Sequence, residues 1–535
     1  MYPRVKTFTN KDGSQRSYLL IVESVRENGK VRQKTVANLG RLEEFQEQKL
    51  DRLIEGLAKF SKKRWIQAQA ADFLVQSARE WGTELIFGHL WTKLGLARLL
   101  KHLLNQTESN SRLDEAVYAM VLNRICDPLS KRAVHRWVKS IQRPAFADLE
   151  LQHFYRALDF LIDHKETIEN ALFAETRNLF NIELDMVFWD TTSTYFEGRG
   201  PEGLGTHGHS KDQRSDRVQI VVGLLMTREG IPVAHHVFPG NTADINTFRA
   251  AIKDVRERFQ LRRVIFVGDR GMVSPALLDE LEFAQIEYIV GVKMRRSKAV
   301  NAVLKTGGRY KVVKENLRVK EVWHDIDRYV VCYNPAEAER DRLAREDMVA
   351  RLEAKLKADG PKALIGHRGY RRYLDLNGAA SINRKVLEEE ARYDGKYILR
   401  INAALSAAEA AEAYKELWRV ERAFRELKST LDLRPVYHWK DRRVRAHVMV
   451  CFLALVLESA LQRSLKLAES EVEYTSLIQD LQQLRAVELT FDNQAYLCRN
   501  GLEGKAYEAF RALGIQPPPR VALLTQTNHP ENGKM

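Results

Sequence analysis

Residues 186–192 read Met-Val-Phe-Trp-Asp-Thr-Thr, and residues 264–270 read Val-Ile-Phe-Val-Gly-Asp-Arg. Each is a short apolar run that stops at an aspartate. Such runs, bounded by polar residues, signal strands of a buried sheet. In open α/β sheets, ligands sit just outside the carboxyl ends of the strands. The two stretches therefore predict that Asp190 and Asp269 end neighbouring parallel strands and share one sheet edge. A single strand-terminal aspartate is more often a turn residue or helix cap, so the pair is the signal.

The flanking segments supply the rest of a layered domain. Residues 219–226 read as a second strand, and the turn at Arg228-Glu229-Gly230 leads into a third at 231–238. A helix is expected over 246–259, the fourth strand over 264–268, a helix over 275–283 and the fifth strand over 286–292. The order β-β-β-α-β-α-β is an α/β arrangement, and it is that of a ribonuclease-H-like fold. The catalytic domain is thus expected over 184–296, with a last part over 406–465. Between them, 297–405 reads as an insertion domain. It has β-like pieces at 329–333 and 397–401 and a charged helix near 336–358.

Residues 1–45 form a β-rich segment with a hairpin signal at Asn28-Gly29. Residues 46–183 show helical periodicity throughout. Ser111 to Asp114 resembles a capping box, Asp127-Pro128 breaks the chain, and a basic helix follows. Helix, turn and basic helix fit a helix-turn-helix reader, in which Lys131, Arg132 and Arg136 would touch DNA. An ordinary helical hairpin with a charged outer face fits equally. Residues 466–535 are expected to be helical, then Pro-rich, with a disordered tail beyond 524.

Lysine and arginine total 85 against 71 acidic residues, a net charge of +14. That excess points to a polyanion such as nucleic acid. The four cysteines are far apart, so neither a disulfide framework nor a cysteine-ligated zinc is expected. The N-terminus lacks the apolar region of a signal peptide. The longest apolar run, 448–457, is too short to span a bilayer and reads as a buried helix. No Walker A pattern is present, so no nucleotide cofactor is expected. The expected setting is the cytoplasm, with no membrane partner.

Phosphodiester cleavage needs a strong nucleophile and relief of charge on the leaving oxygen. Two Mg²⁺ ions about 3.5–4 Å apart supply both. Mg²⁺ takes oxygen ligands and keeps several waters, so a few carboxylates suffice. Asp190 and Asp269 provide two. The third candidate is Glu421, on a helix expected over 414–428. Tyr414, Leu417, Glu421, Phe424 and Lys428 share one face of that helix by three and four spacing. The face is mostly apolar and is expected to turn inward. A buried acid and base need a reason: either a Glu421–Lys428 pair, or a metal ligand beside a phosphate-binding lysine.

Tyr414, Glu421 and Lys428 match the Tyr-x₂-Arg-x₃-Glu-x₆-Lys signature of the insertion-sequence-four group of DDE transposases, enzymes of bacterial mobile elements. The arginine position carries Leu417, with Arg419, Arg422 and Arg425 close by in sequence. The segments 208–212 (Gly-His-Ser-Lys-Asp), 238–244 (Phe-Pro-Gly-Asn-Thr-Ala-Asp), 433–438 and 26–40 also resemble this group. The resemblance implies that Asp190, Asp269 and Glu421 bind two Mg²⁺ ions, with Mn²⁺ as an alternative. It implies hydrolysis at the element's end and attack by the freed 3′-hydroxyl on target DNA. Tyr414, Lys428, Arg422 and Arg425 would hold DNA. The partners implied are double-stranded DNA, as terminal inverted repeats and target, and a second copy of the chain in a homodimer. The setting implied is bacterial and nucleoid-associated. Trp323 is a candidate to stabilise a flipped base.

Three other readings compete: a nuclease of the same fold that does not join strands, a DNA-binding regulator without catalysis, and a basic structural protein. His207 and His209 lack a third metal ligand and read as part of a flexible basic loop. His235 and His236 face opposite sides of a strand and read as structural.

Overall fold

The computed structural model describes residues 1–27, 30–44, 47–60, 74–107, 112–180, 186–259, 264–270, 274–295, 297–360, 371–375, 381–434, 436–491 and 494–524. The chain divides into two compact units, one of residues 1–74 with 490–494, the other of the remainder.

The first unit carries an antiparallel sheet of β1 (Tyr2–Thr9), β2 (Gln15–Glu27) and β3 (Lys30–Arg41), followed by a helix, Glu47–Ala58. Glu27 pairs with Lys30, as a two-residue hairpin requires. Asn28 and Gly29 themselves lie outside the described residues. Strand β1 is an addition to the expected hairpin.

Strand β4 (Leu74–Glu80), all but its first residue in the second unit, lies within the region expected to be helical. Helices Leu113–Cys126 and Lys131–Trp137 flank the expected break at Asp127-Pro128. Ser111 of the expected capping box lies outside the described residues. The first of these helices is buried almost throughout. Val117, Leu122, Val134 and Val138 share one core with the long helix Asp441–Leu467. Lys131 is only 5% exposed, so this lysine cannot meet a phosphate, contrary to the helix-turn-helix expectation. Arg132 and Arg136 are exposed. The helix pair serves as core, because its apolar residues are needed against Asp441–Leu467.

The centre is a nine-stranded sheet. Its strands are β5 (Met186–Tyr195), β6 (Gln219–Thr227), β7 (Pro232–Pro239), β8 (Ile265–Gly268), β9 (Glu287–Gly291), β10 (Lys311–Lys314), β11 (Leu317–His324), β12 (Asp327–Tyr333) and, after a small pair β13 (Leu374–Asp375) and β14 (Ser381–Ile382), β15 (Lys396–Ile401). The order across it is β10-β11-β12-β15-β9-β8-β5-β6-β7. Only β5–β8 and β8–β9 pair in parallel; the other neighbours are antiparallel.

One expectation changes here. Strand β5 does not stop at Asp190 but runs on to Tyr195, because Thr191 to Tyr195 are good strand formers that stay paired with β6. What stops at that level is its parallel partner β8, at Gly268. The stretch 297–405, expected as an insertion domain, contributes strands to the same sheet. Its strands continue the catalytic sheet through the pairing of β15 with β9. The charged helix within it is present, as Pro335–Asp359.

The C-terminal region is not only helical. Helices Tyr474–Gln483 and Ala506–Leu513 alternate with β16 (Arg485–Phe491), β17 (Gln494–Arg499) and β18 (Val521–Leu524), which join β4 in a second sheet. The expected disordered tail, 525–535, lies outside the described residues. Helix Asp441–Leu467 is long and apolar enough to cross a membrane, yet 89% of its most apolar window is buried inside the protein, as a core helix would be.

Candidate active site

Trp189 pairs with Gly268 across the parallel ladder, so the next residues, Asp190 and Asp269, stand side by side. Neighbouring strands lie about 4.8 Å apart. Asp190 is largely buried at 14% side-chain exposure. Burial pushes its carboxyl up to about 6, and the charge of Asp269 pushes the same way; Lys211 and the Thr191 N–H oppose them. The Thr191 N–H donates to Asp190 Oδ1 at 2.7 Å. At Asp269, the Arg270 N–H donates to Oδ1 at 2.7 Å and the Tyr414 hydroxyl donates to the same oxygen at 3.0 Å. Two adjacent carboxylates in a half-buried setting could hold a hard cation, since their oxygen donors suit ions such as Mg²⁺ or Mn²⁺.

Tyr414 reaches Asp269 because Gly291 on β9 leaves room. A Cβ there would lie 2.4 Å from the Tyr414 hydroxyl oxygen. The expected continuous helix over 414–428 is broken. Helix Ala407–Lys415 ends, a new one runs over Trp418–Arg425, and a π-helical turn covers Glu426–Thr430. Leu417, Val420, Ala423, Phe424 and Leu427 are buried, whereas Glu421 is exposed rather than inward-facing. Among the described residues, no three His, Cys, Asp or Glu side chains gather closely enough to hold a metal ion. The structure thus unites Asp190, Asp269 and Tyr414, and leaves the Glu421 side chain on the surface of the neighbouring helix. Arg425 is exposed. Arg422 is engaged with Glu426 at 2.8 Å and Gln462 at 2.9 Å.

Lys428 is at the site, but its partner is not Glu421. Its Nζ donates to Asp212 Oδ1 at 2.8 Å. Arg434 Nη1 lies 2.9 Å from the other Asp212 oxygen. The residue before Asp212 turns to the first aspartate: Lys211 Nζ is 3.4 Å from Asp190 Oδ1 and also donates to the Thr191 carbonyl. Lys211 is legible in sequence only as one charge of a basic loop, and Asp212 and Arg434 only as members of the segments 208–212 and 433–438. The motif at 238–244 converges on the same place as 208–212, and these two segments line a cleft of about 260 Å³ beside Thr191 and Ser193.

This loop is not the flexible segment expected around His207 and His209. Both histidines are exposed, but the Lys211 N–H donates to Ser193 Oγ at 2.8 Å, and Gln219 Nε2 donates to the carbonyls of His209 and Gly240. His235 and His236 are structural and face opposite ways, as expected. His235 stacks on Phe452 beside Glu169, and His236 pairs with Asp254 at 2.7 Å.

Residues 185–457, just over half of the chain, match the family described as the transposase DDE domain. The chain belongs to the DDE transposases. Residues 3–71 match the N-terminal domain of the IS1634 family of transposases. Both aspartates, Tyr414, Glu421 and Lys428 fall inside the DDE match, as does the whole 297–405 stretch. No curated protein matches significantly. Among solved structures, a Mos1 transposase paired-end complex with the left transposon end and a Mos1 strand transfer complex are each 13% identical, over 45% of this chain and 65% of theirs, at a TM-score of 0.15. A pre-cleavage Mos1 transpososome is 12% identical over 47% of this chain and 69% of its own, also at 0.15. The chain thus spans about two thirds of the length of these transposases.

Proposed function

We propose that this DDE transposase cuts and joins DNA at the ends of an insertion sequence, with Asp190, Asp269 and Glu421 as its metal-binding carboxylates. The observation that carries the reading is the side-by-side placement of Asp190 and Asp269, where the parallel partner strand stops. Glu421 lies about two helical turns along from Tyr414, which is bonded to Asp269. Its carboxylate is exposed and would have to turn toward the aspartates to complete the set.

Two divalent ions, Mg²⁺ or Mn²⁺, would supply activation of the attacking oxygen and relief of charge on the leaving oxygen. The chain's own groups do the rest. Thr191, Arg270 and Tyr414 fix the carboxylate oxygens by hydrogen bonds. Lys428 and Arg434 present positive charge to a phosphate beside the carboxylates. Water would attack first, leaving a 3′-hydroxyl, which would then attack target DNA. The Tyr-Glu-Lys spacing supports membership of the insertion-sequence-four signature group, with Leu417 at the arginine position. Pairing of two element ends supports a homodimer on DNA.

The test is strand cleavage of DNA carrying the sequences that flank the gene, with Mg²⁺, comparing wild type with Glu421→Gln. Cleavage leaving 3′-hydroxyl ends in wild type alone is the expected result. Equal cleavage by both proteins would remove Glu421 from the site. Cleavage by neither, with DNA bound, would favour a DNA-binding regulator.

A further inference from the structure

The loop between β5 and β6 is anchored more firmly than a connection requires. The Thr206 and Gln219 backbones exchange two hydrogen bonds, at 3.1 and 2.9 Å. Gly208 lies so close to Gly240 that a Cβ on Gly208 would sit 1.9 Å from the Gly240 oxygen. Ser193 holds the Lys211 N–H, and Ser210 Oγ accepts from the Arg214 N–H at 3.0 Å. The loop therefore delivers two consecutive side chains to fixed places. Lys211 meets Asp190, and Asp212 meets Lys428 and Arg434.

Asp212 and Lys428 are each 14% exposed, and Arg434 is 32% exposed. Burial and the nearby charges of Arg434 and Lys211 work against the Lys428 ammonium, and Asp212 works for it. A lysine ammonium is a point charge on a flexible four-carbon stem, so its place must be set by a partner. Arg434 is steadied a second time, with its guanidinium over the Tyr195 ring at 5.2 Å. One carboxylate shared by two cations leaves a net positive charge, so the cluster still attracts a phosphate. An ion pair in such a setting is weak evidence for a purely stabilising role.

We propose that Asp212 is a positioning residue for the reaction, holding Lys428 and Arg434 where they meet a DNA phosphate next to Asp190 and Asp269. The inference rests on the reading that Lys428 contacts DNA in a strand-cleaving enzyme. Asp212 itself touches no reacting atom and acts through Lys428.

A double-mutant cycle on the full chain tests this, with Asp212→Asn, Lys428→Gln and the pair, on DNA carrying the flanking sequences. Single-turnover cleavage and DNA affinity are both measured, and thermal melting checks that each variant folds. Asp212→Asn is expected to slow cleavage roughly 10- to 100-fold without weakening DNA binding, since it removes a negative charge. Asp212→Glu should recover part of the rate. The pair should be no slower than Lys428→Gln alone, and Lys428→Gln should weaken affinity less in the Asp212→Asn background than in wild type. Multiplying losses, or equal affinity factors in both backgrounds, would overturn the proposal. If Asp212→Asn does not fold, Asp212→Glu and Arg434→Gln complete the cycle. The affinity cycle is decisive even if wild type does not cleave, in which case the proposed function fails on its own account.

Discussion

The Tyr414 hydroxyl donates to Asp269 Oδ1 at 3.0 Å, across 145 residues of sequence. The contact ties the helix Ala407–Lys415 to the end of β8, and it orients one carboxylate of the candidate metal seat. Burial and the Asp269 charge hold the phenol well above its ordinary pKa, so it stays a donor at neutral pH. A hydrogen bond to a charged group contributes about 1.5–3 kcal/mol. Tyr414→Phe should therefore slow cleavage on the order of 10- to 100-fold if the bond is needed in the transition state. Single-turnover rates at saturating metal would show it. An unchanged rate would make Tyr414 a packing residue.

Asp190 and Asp269 repel each other, and Asp190 is also largely buried. Such a pair lowers stability when it is empty of a cation, and a bound cation restores it by mass action. Mg²⁺ or Mn²⁺ should raise the melting temperature of wild type and leave that of Asp190→Asn unmoved. Without metal, Asp190→Asn should melt no lower than wild type. A variant that melts much lower without metal would mean that the carboxylate is a structural partner of Lys211.

The strands that carry the two aspartates were legible in sequence, because apolar runs ending in a polar residue have few other readings. The limits of β5 were not, since Thr191 to Tyr195 are polar in composition yet pair fully with β6. The burial of Lys131 was hidden for a similar reason. Its helix shows basic residues at most positions, and only tertiary packing decides which of them turns inward. Glu421 is exposed although Leu417 and Phe424, on the same predicted face, are buried, because spacing gives the face and only tertiary packing decides which of its residues are covered. Asp212 could be found only as part of a motif, since its partner Lys428 lies 216 residues away in sequence.

Lys131 offers a stability prediction away from the site. Burial, with Arg124 adding repulsion, pushes its ammonium down to about 7, and Nζ has no hydrogen-bond partner among the described residues. The unfolded value is about 10.4. Between those two values the unfolded chain binds more protons, so this group's contribution to stability rises with pH. Below the lower value both states are protonated and the full penalty remains. Lys131→Met should therefore raise the melting temperature at neutral pH, and it should flatten the rise of stability between about pH 7 and 10. A drop in melting temperature at pH 7 would show that the lysine has a favourable partner.

Gly240 separates the loop's shape from its chemistry. A Cβ at this position would lie 2.2 Å from the Gln219 carbonyl oxygen and 2.4 Å from that of Thr206. Both are backbone atoms of the bridge that seats the loop, so neither can swing aside as a side chain would. Gly240→Ala must push the 238–244 segment away from the loop and loosen the seat of Lys211 and Asp212. Cleavage should fall at least as far as in Asp212→Asn, because both loop residues lose their places, while Asp190 and Asp269 keep theirs on the sheet. The metal-dependent rise in melting temperature should survive. Loss of that rise together with cleavage would mean that the metal seat itself depends on the loop.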